Sequence, residues 1–347
     1  MKEIVMKNDK IASTVYIDNN LDKFGIAMQQ HKLQNVTRMF IIADKTVLNL
    51  YKNKMKSIFT EYICSVYEFE TEKSRKDNRT INSIYEFLKN GGANKDSVIL
   101  AVGGKSVIDL ATFCSATYKN GMDIIILPTT LSSQVDDCLC ERYYHDFNGE
   151  KDCISTVCTP VFIYIAINFL HTHTKESFNS GIVKIINYGL LKDKSLIIFL
   201  EENYKHIIEG ENDKLLHIIR ESLKIKAILL EEKNTYSFCG NFQKVSELME
   251  FDKISLINSC VFGILISLKL SEIKFNTKFM TYRRINDLFN KFGVNTKLKF
   301  QEYPSILRHD KNIKFTLIDN DGICKDNIMI GGKEIVKAIK ESISKEC

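Results

Sequence analysis

The run Ser97-Val98-Ile99-Leu100-Ala101-Val102, closed by Gly103 and Gly104, constrains the fold more than any other stretch of the chain. Continuous apolar residues over this length fit a strand covered on both faces, not a half-exposed strand of alternating polarity. Two glycines then permit a sharp turn. Residues 106–118 read as the helix that follows, and 123–127, closed by Pro128-Thr129-Thr130, as the next strand. Upstream, 37–44 reads as a strand, 46–59 as a helix, 62–69 as a strand, and 78–89 as a helix with Ile81, Ile84, Tyr85 and Leu88 on one face. This alternation predicts a mostly parallel, Rossmann-like sheet with helices on both faces.

The second half changes character. Helical periodicity marks 175–188, 215–232, 242–251, 255–275, 282–292 and 335–344, whereas 313–318 and 327–330 are the only plausible strands. The expectation is an α/β dinucleotide-binding-like domain over 1–165 and a mainly helical domain over 166–347, packed without a linker. A cleft between such domains is the default ligand site.

Composition excludes several classes. With 347 residues, 44% hydrophobic and 26% charged, the chain reads as globular. Its net charge of +5 is spread along the chain, with lysines alternating with acids, so no nucleic-acid partner is expected. No apolar stretch approaches a membrane span, and the start lacks the apolar core of a secretory signal. Ten cysteines are then read as reduced thiols in the cytoplasm, and Cys138-Leu139-Cys140 has the wrong spacing for a CxxC motif.

Strand, Gly103-Gly104, helix is an arrangement suited to anions, because a helix N-terminus presents free N–H groups and a positive dipole end. Lys105 adds a point charge, yet Gly-Gly-Lys-Ser is neither GxxxxGK[ST] nor GxGxxG. Asp109 lies in the following helix, Thr129 and Thr130 follow the next strand, and Asp136 and Asp137 stand just beyond. Together they favour a dinucleotide or a phosphorylated small molecule.

The segment from Ala101 to Asp123, followed by Pro128-Thr129-Thr130 and by Gln134 and Asp136, resembles 3-dehydroquinate synthase and the related sugar-phosphate cyclases. The match to GGGxxGDxxxFxAxxYxRGxxxxxxPTTxxxQxD includes both glycines, Asp109, Tyr118 and Gly121. Phe178-Asn-Ser-Gly181-Ile-Val-Lys184 resembles FRxGxAE, Ser222 and Lys226 fit SxxxK, and Asp310-Lys311-Asn312 resembles DKK. The resemblance implies a dehydroquinate-synthase-like fold, usually dimeric, with NAD in the first domain and zinc or cobalt in the second. It implies transient oxidation of a substrate alcohol by NAD, loss of phosphate, re-reduction and ring closure. Carried over by position, it suggests cofactor contacts at Asp44, Lys76, Gly103, Gly104, Lys105, Asp109, Thr129, Thr130, Asp136, Lys151, Phe169 and Thr172. The family usually has glycine where this chain has Lys105 and Ile108, and side chains there could crowd a pyrophosphate.

The family's metal ligands, one Glu and two His, find no counterparts. The Glu position is Lys184, the first His falls at Lys244 or Glu247, the helix's second at Leu248 or Phe251, and HGE matches Leu256-Ile257-Asn258. No histidine stands between His217 and His309, so no metal site of the family type is expected. The phosphate-binding Arg and Lys become Asn179 and Asn187.

The remaining catalytic candidates are Arg142, Lys151, His145, Lys184, Lys226 and Lys311. His145 could act as an acid or base, or be a loop histidine. Lys184 could pair with an acid or, if buried, act as a base or Schiff-base amine. His171 and His173 could form another metal set with Asp136, or be satisfied loop residues.

Two main functional readings follow, with a third beside them. One is a divergent member unable to perform the metal-dependent cyclisation, with a structural, regulatory or ligand-binding role, as a homodimer or with an active relative. The other is an NAD-dependent cyclase or oxidoreductase with altered chemistry. A standard synthase with unusual ligands is a third.

Overall fold

Ser97–Gly103 forms a strand in which every residue is buried, as its unbroken apolar run demands. It belongs to a computed structural model that describes residues 2–7, 12–71, 75–232, 238, 241, 255–296 and 312–343. In chain order the elements are β1 (Lys2–Lys7), β2 (Ala12–Asp18), α1 (Phe24–Gln30), β3 (Arg38–Asp44), α2 (Lys45–Tyr51), α3 (Lys56–Glu61), β4 (Cys64–Phe69) and α4 (Asn78–Asn90). Then come β5 (Ser97–Gly103), α5 (Lys105–Thr117), β6 (Asp123–Pro128), a π-helical turn (Ser133–Asp137), β7 (Arg142–Phe147), β8 (Glu150–Val157) and β9 (Phe162–Ala166). A 3-10 turn (Ile167–Thr172) precedes α6 (Lys175–Leu191), α7 (Lys194–Ile208), α8 (Asn212–Glu231), α9 (Leu256–Phe275), α10 (Tyr282–Phe292), β10 (Asn312–Ile318), β11 (Cys324–Gly331) and α11 (Gly332–Ile343).

The chain divides into two units. The first comprises Met1–Gly181 and Asn212–Glu231, the second Ile182–Glu211 and Glu232–Cys347. This division does not fall at the expected 165/166. It lies inside α6, and α8 belongs to the first unit, where Lys226 forms an ion pair with Asp136.

In the first unit a seven-stranded sheet has the order β1-β2-β9-β6-β5-β3-β4. β1 runs antiparallel to β2, and the other six strands are parallel. One core cluster packs Phe24, Met28, Tyr51 and Met55 with inward residues of β3, β5, β6 and β9. Asp77 caps α4 by accepting from the Arg79 and Thr80 N–H groups, and Asp44 caps α2 in the same way. Gln134 is fully buried, and its amide donates to the carbonyls of Pro128 (3.2 Å) and Ala166 (3.1 Å). One side chain thus ties the carboxyl ends of β6 and β9.

The structure departs from the sequence reading in definite places. The helix read over 46–59 is two helices, α2 ending at Tyr51 and α3 starting at Lys56, and the Tyr51 hydroxyl donates to the Asn168 (2.9 Å) and Phe169 (3.0 Å) carbonyls. His145, a possible loop histidine from sequence, lies in the β7–β8 hairpin, and β1, β2, β9 and α7 are not anticipated by the sequence. The helix read over 242–251 lies outside the described residues.

In the second unit α9, β10, β11 and α11 share a core of Phe262, Ile266, Leu270, Phe315, Leu317 and Ile335. Arg284 on α10 grips both Glu201 carboxylate oxygens on α7 at 2.7 Å. Among the described residues no helix is long and apolar enough to cross a membrane.

Gly181 tests the packing of the first unit. A Cβ there would stand 2.4 Å from Leu131 Cγ. Gly181→Ala is expected to lower stability by about 1–3 kcal/mol, read as a lower urea midpoint at unchanged slope.

Candidate dinucleotide pocket

The site grows out of the β5–α5 turn. A Cβ on Gly103 would lie 2.8 Å from Val107 Cβ, too close without a shift, and one on Gly104 would crowd Thr130 Cγ2 at 3.2 Å. Gly104 is the N-cap of α5 and supplies no side-chain cap, which leaves the first-turn N–H groups unsatisfied by the helix. After β6, Thr130 and Ser133 cap each other: Ser133 N–H donates to Thr130 Oγ1 (3.1 Å), and Thr130 N–H to Ser133 Oγ (3.0 Å).

These turns open onto a pocket of about 680 Å³ within the first unit. That lies inside the roughly 300–1,000 Å³ range of cofactor sites. Asp44, Gly104, Lys105, Thr129, Thr130, Phe169 and Thr172, all expected from the sequence, line it. Sequence reasoning missed Lys45, Thr46, Glu70, Thr71 and Tyr51, and gave His173 and Ser106 no cofactor role. Asp44 was legible as a strand-ending acid, and the residues after it share the pocket for the same reason. Asp44 Oδ1 accepts from the N–H groups of Thr46 (2.8 Å) and Val47 (3.2 Å), while Oδ2 accepts from the Thr71 hydroxyl. The Tyr51 hydroxyl meets Thr172 Oγ1 at 2.7 Å, and its ring packs 4.6 Å from that of Phe169. Burial raises the Tyr51 pKa, only partly offset by the Thr172 hydrogen bond. Thr129 Oγ1 is buried without a partner.

Beside the pocket, a charge network holds the hairpin. Lys76 Nζ and Lys105 Nζ each lie 2.7 Å from Asp109 Oδ2, and Lys76 also pairs with Asp152. The Asp152 carboxyl is lowered: burial works against ionisation, but the Lys76 ammonium outweighs it. Burial works to lower the Lys105 pKa, yet Asp109 outweighs it and the net shift is upward. Lys105 therefore does not reach across the pocket: it bends back along α5, its ammonium 5.7 Å from the Tyr144 ring centre. Ile108 is fully buried and takes no part in the pocket lining. Ile108 is therefore clear of the pocket, whereas Lys105 stays in its lining with its ammonium held on Asp109.

The other candidates lie apart. Lys226 Nζ is 2.6 Å from Asp136 Oδ1. Arg142 donates to Ser155 Oγ at 3.3 Å, Lys151 is exposed on β8, and neither lines the pocket. His145 is buried, with Nδ1 on the Asp146 carbonyl (3.0 Å) and its ring edge-on to Phe113, as a packed hairpin residue. The set His171, His173 and Asp136 does not assemble, because His171 Nε2 faces Asn212 Oδ1 (3.2 Å) and His173 bonds Thr129 and Ser177. Burial raises the Cys138 thiol well above its usual value and Cys140 to about 11, as for inert packed thiols. Lys184 is half-buried on α6 in the second unit. Lys244, Glu247, Leu248, Phe251 and Lys311 lie outside the described residues.

The family model described as 3-dehydroquinate synthase N-terminal matches residues 66–180. The 3-dehydroquinate synthase of Clostridium tetani (strain Massachusetts / E88) is 34% identical, over 99% of this chain and 96% of its own length. The chain belongs to the 3-dehydroquinate synthase family. Among solved structures, ValA (2-epi-5-epi-valiolone synthase) from Streptomyces hygroscopicus subsp. jinggangensis 5008, with NAD+ and Zn2+ bound, superposes with a TM-score of 0.80 at 16% identity, covering 98% of this chain and 99% of that one. A 2-deoxy-scyllo-inosose synthase complexed with carbaglucose-6-phosphate, NAD+ and Co2+ gives 0.77 at 15% identity, with the same coverage. At such identities these structures establish the synthase-like fold.

The shared carboxylate makes a direct test. Asp109→Asn leaves the Lys105 ammonium against a neutral amide and Lys76 with Asp152 alone, and should cost about 3 kcal/mol in urea unfolding. Because the folded Lys105 pKa is raised, its contribution is fully present below about pH 10.4 and fades as pH climbs through the folded value. The stability gap between wild type and Lys105→Met should therefore close only on the alkaline side.

Proposed function

We propose that this chain is an NAD-binding member of the 3-dehydroquinate synthase family that does not perform the family's metal-dependent cyclisation, and that it binds a phosphorylated small molecule beside the cofactor. The observation that carries the cofactor reading is Thr129 Oγ1, a buried hydroxyl with no partner, in the pocket that receives the uncapped first turn of α5. An orphaned buried hydroxyl is costly unless a ligand satisfies it. NAD would supply a hydride acceptor for a substrate alcohol. The residues fit it by type: the α5 N-terminus favours pyrophosphate oxygens, Phe169 offers an apolar face, and Asp44 stands where a ribose hydroxyl can be held.

The family's metal is a different matter. Its glutamate position holds Lys184, whose ammonium has no lone pair to offer and repels a divalent cation. The stretch from His217 to His309 contains no other histidine, and Asn258 ends the segment matching HGE. The residues do not fit the metal, and no chemical step is assigned to it. The role that follows is regulatory, structural or ligand-binding, in a homodimer or with an active relative.

A second reading, an NAD-dependent cyclase or oxidoreductase with altered chemistry, is favoured by the half-buried Lys226–Asp136 pair. That pair supplies a positioned cation and carboxylate without metal.

The deciding experiment is a calorimetric NAD+ titration of the full chain with and without Zn2+ or Co2+, alongside assay of heptulosonate phosphate turnover. NAD+ should bind in either condition with the same affinity, and neither metal should yield 3-dehydroquinate. Absence of NAD+ binding overturns the cofactor reading, and metal-stimulated cyclisation overturns the rest. Metal-independent oxidation of a sugar phosphate would select the second reading.

A further inference from the structure

The cofactor contacts implied by the family resemblance do not include His173, yet its half-buried ring lines the pocket. Its Nε2 is hydrogen-bonded to the Thr129 carbonyl oxygen, and its Nδ1 lies 3.1 Å from Ser177 Oγ. A carbonyl oxygen has no proton to give, so Nε2 carries the hydrogen and donates it. Nδ1 of the neutral ring then accepts, and the Ser177 hydroxyl donates. Burial lowers the His173 pKa, partly opposed by the Thr129 hydrogen bond, which agrees with a neutral ring.

The consequence falls on Thr129. Its N–H donates to the Gly103 carbonyl at 3.0 Å, its carbonyl receives the His173 N–H, and its Oγ1 remains buried and unpartnered. Both backbone polar groups are therefore held, and the hydroxyl alone is left for a ligand.

We propose that His173 is a positioning residue for this pocket: Ser177 holds it as the neutral Nε2–H tautomer, and through the Thr129 carbonyl it aims the Thr129 hydroxyl at an oxygen of a phosphate-linked ligand. For the identity of that ligand the inference rests on the NAD reading; for the tautomer it does not. Neither ring nitrogen is free, so His173 transfers no proton to the ligand. It acts by orienting a neighbour, as second-layer hydrogen bonds orient groups that touch substrate.

The test uses the full chain and begins without ligand. Long-range nitrogen–proton NMR of the histidine rings should report the Nε2–H tautomer for His173 in the wild type and a weakened preference in Ser177→Ala. An Nδ1–H tautomer in the wild type overturns the proposal. NAD+ is then titrated, with inorganic pyrophosphate as a second probe. His173→Leu should weaken binding about tenfold, whereas His173→Gln, which can donate an amide N–H to the same carbonyl, should stay within about threefold of wild type. Thr129→Val should lose as much as His173→Leu, and the double variant no more than either single one. Equal losses in His173→Leu and His173→Gln, or additive losses in the double variant, mark a merely structural residue and overturn the proposal. If the wild type binds pyrophosphate but not NAD+, the NAD reading fails, and the same ranking of variants judges His173. Binding of neither probe sinks both.

Discussion

At the end of β5 the chain leaves a strand buried on both faces and enters α5 within one residue, and the space there is set by Val107, 2.8 Å from where a Gly103 Cβ would lie. Such close approach brings the N-terminal turn of α5 up to the carboxyl edge of the sheet. Thr129 is hydrogen-bonded to Gly103, and Thr130 packs beside Gly104, so the two strand ends meet at the pocket. Without that approach the helix would open onto solvent, and its N–H groups would face water in place of a pocket.

Charge then fixes what packing leaves loose. Asp109 is almost wholly buried and serves two ammonium groups through one oxygen, and Lys76 passes the connection on to Asp152 in the hairpin. Each pair alone would be a modest gain. Sharing a buried carboxylate makes them interdependent, because removal of the acid takes the Asp109 pair from Lys105 and leaves Lys76 with Asp152 alone. The same network holds the Lys105 ammonium along its own helix, on Asp109, while the residue still lines the pocket.

Much of the fold was readable because local pattern and burial agree. The apolar runs of β3, β5 and β6 have no stable place except the middle of a sheet. The amphipathic helices at 78–90 and 282–292 carry buried residues at helical spacing. Where the two disagree, the reading failed. β9 is a buried strand that looked like a domain boundary, since its role depends on neighbours β2 and β6 far away in sequence. The last residue of α2, Tyr51, is tied by its hydroxyl to the Asn168 and Phe169 carbonyls, partners far along the chain. The division of the chain inside α6, with α8 returned to the first unit, is likewise a matter of long-range packing.

The sequence by itself determined the family markers, the glycines of the turn, and the residues that the resemblance sets against the family's metal ligands, Lys184 and a stretch between His217 and His309 without histidine. These are matters of residue identity, and coordination chemistry depends on which atoms exist. Only the tertiary structure decided which of the expected residues meet. Asp44, Gly104, Thr129, Thr130, Phe169 and Thr172 converge on one pocket, whereas Lys76 and Asp109 turn to each other. His173, two residues from His171, leaves its neighbour to face Asn212 and takes the Thr129 carbonyl instead. The reason is geometric: hydrogen-bond partners are chosen by where the folded backbone puts carbonyls and hydroxyls, and spacing along the chain does not encode that.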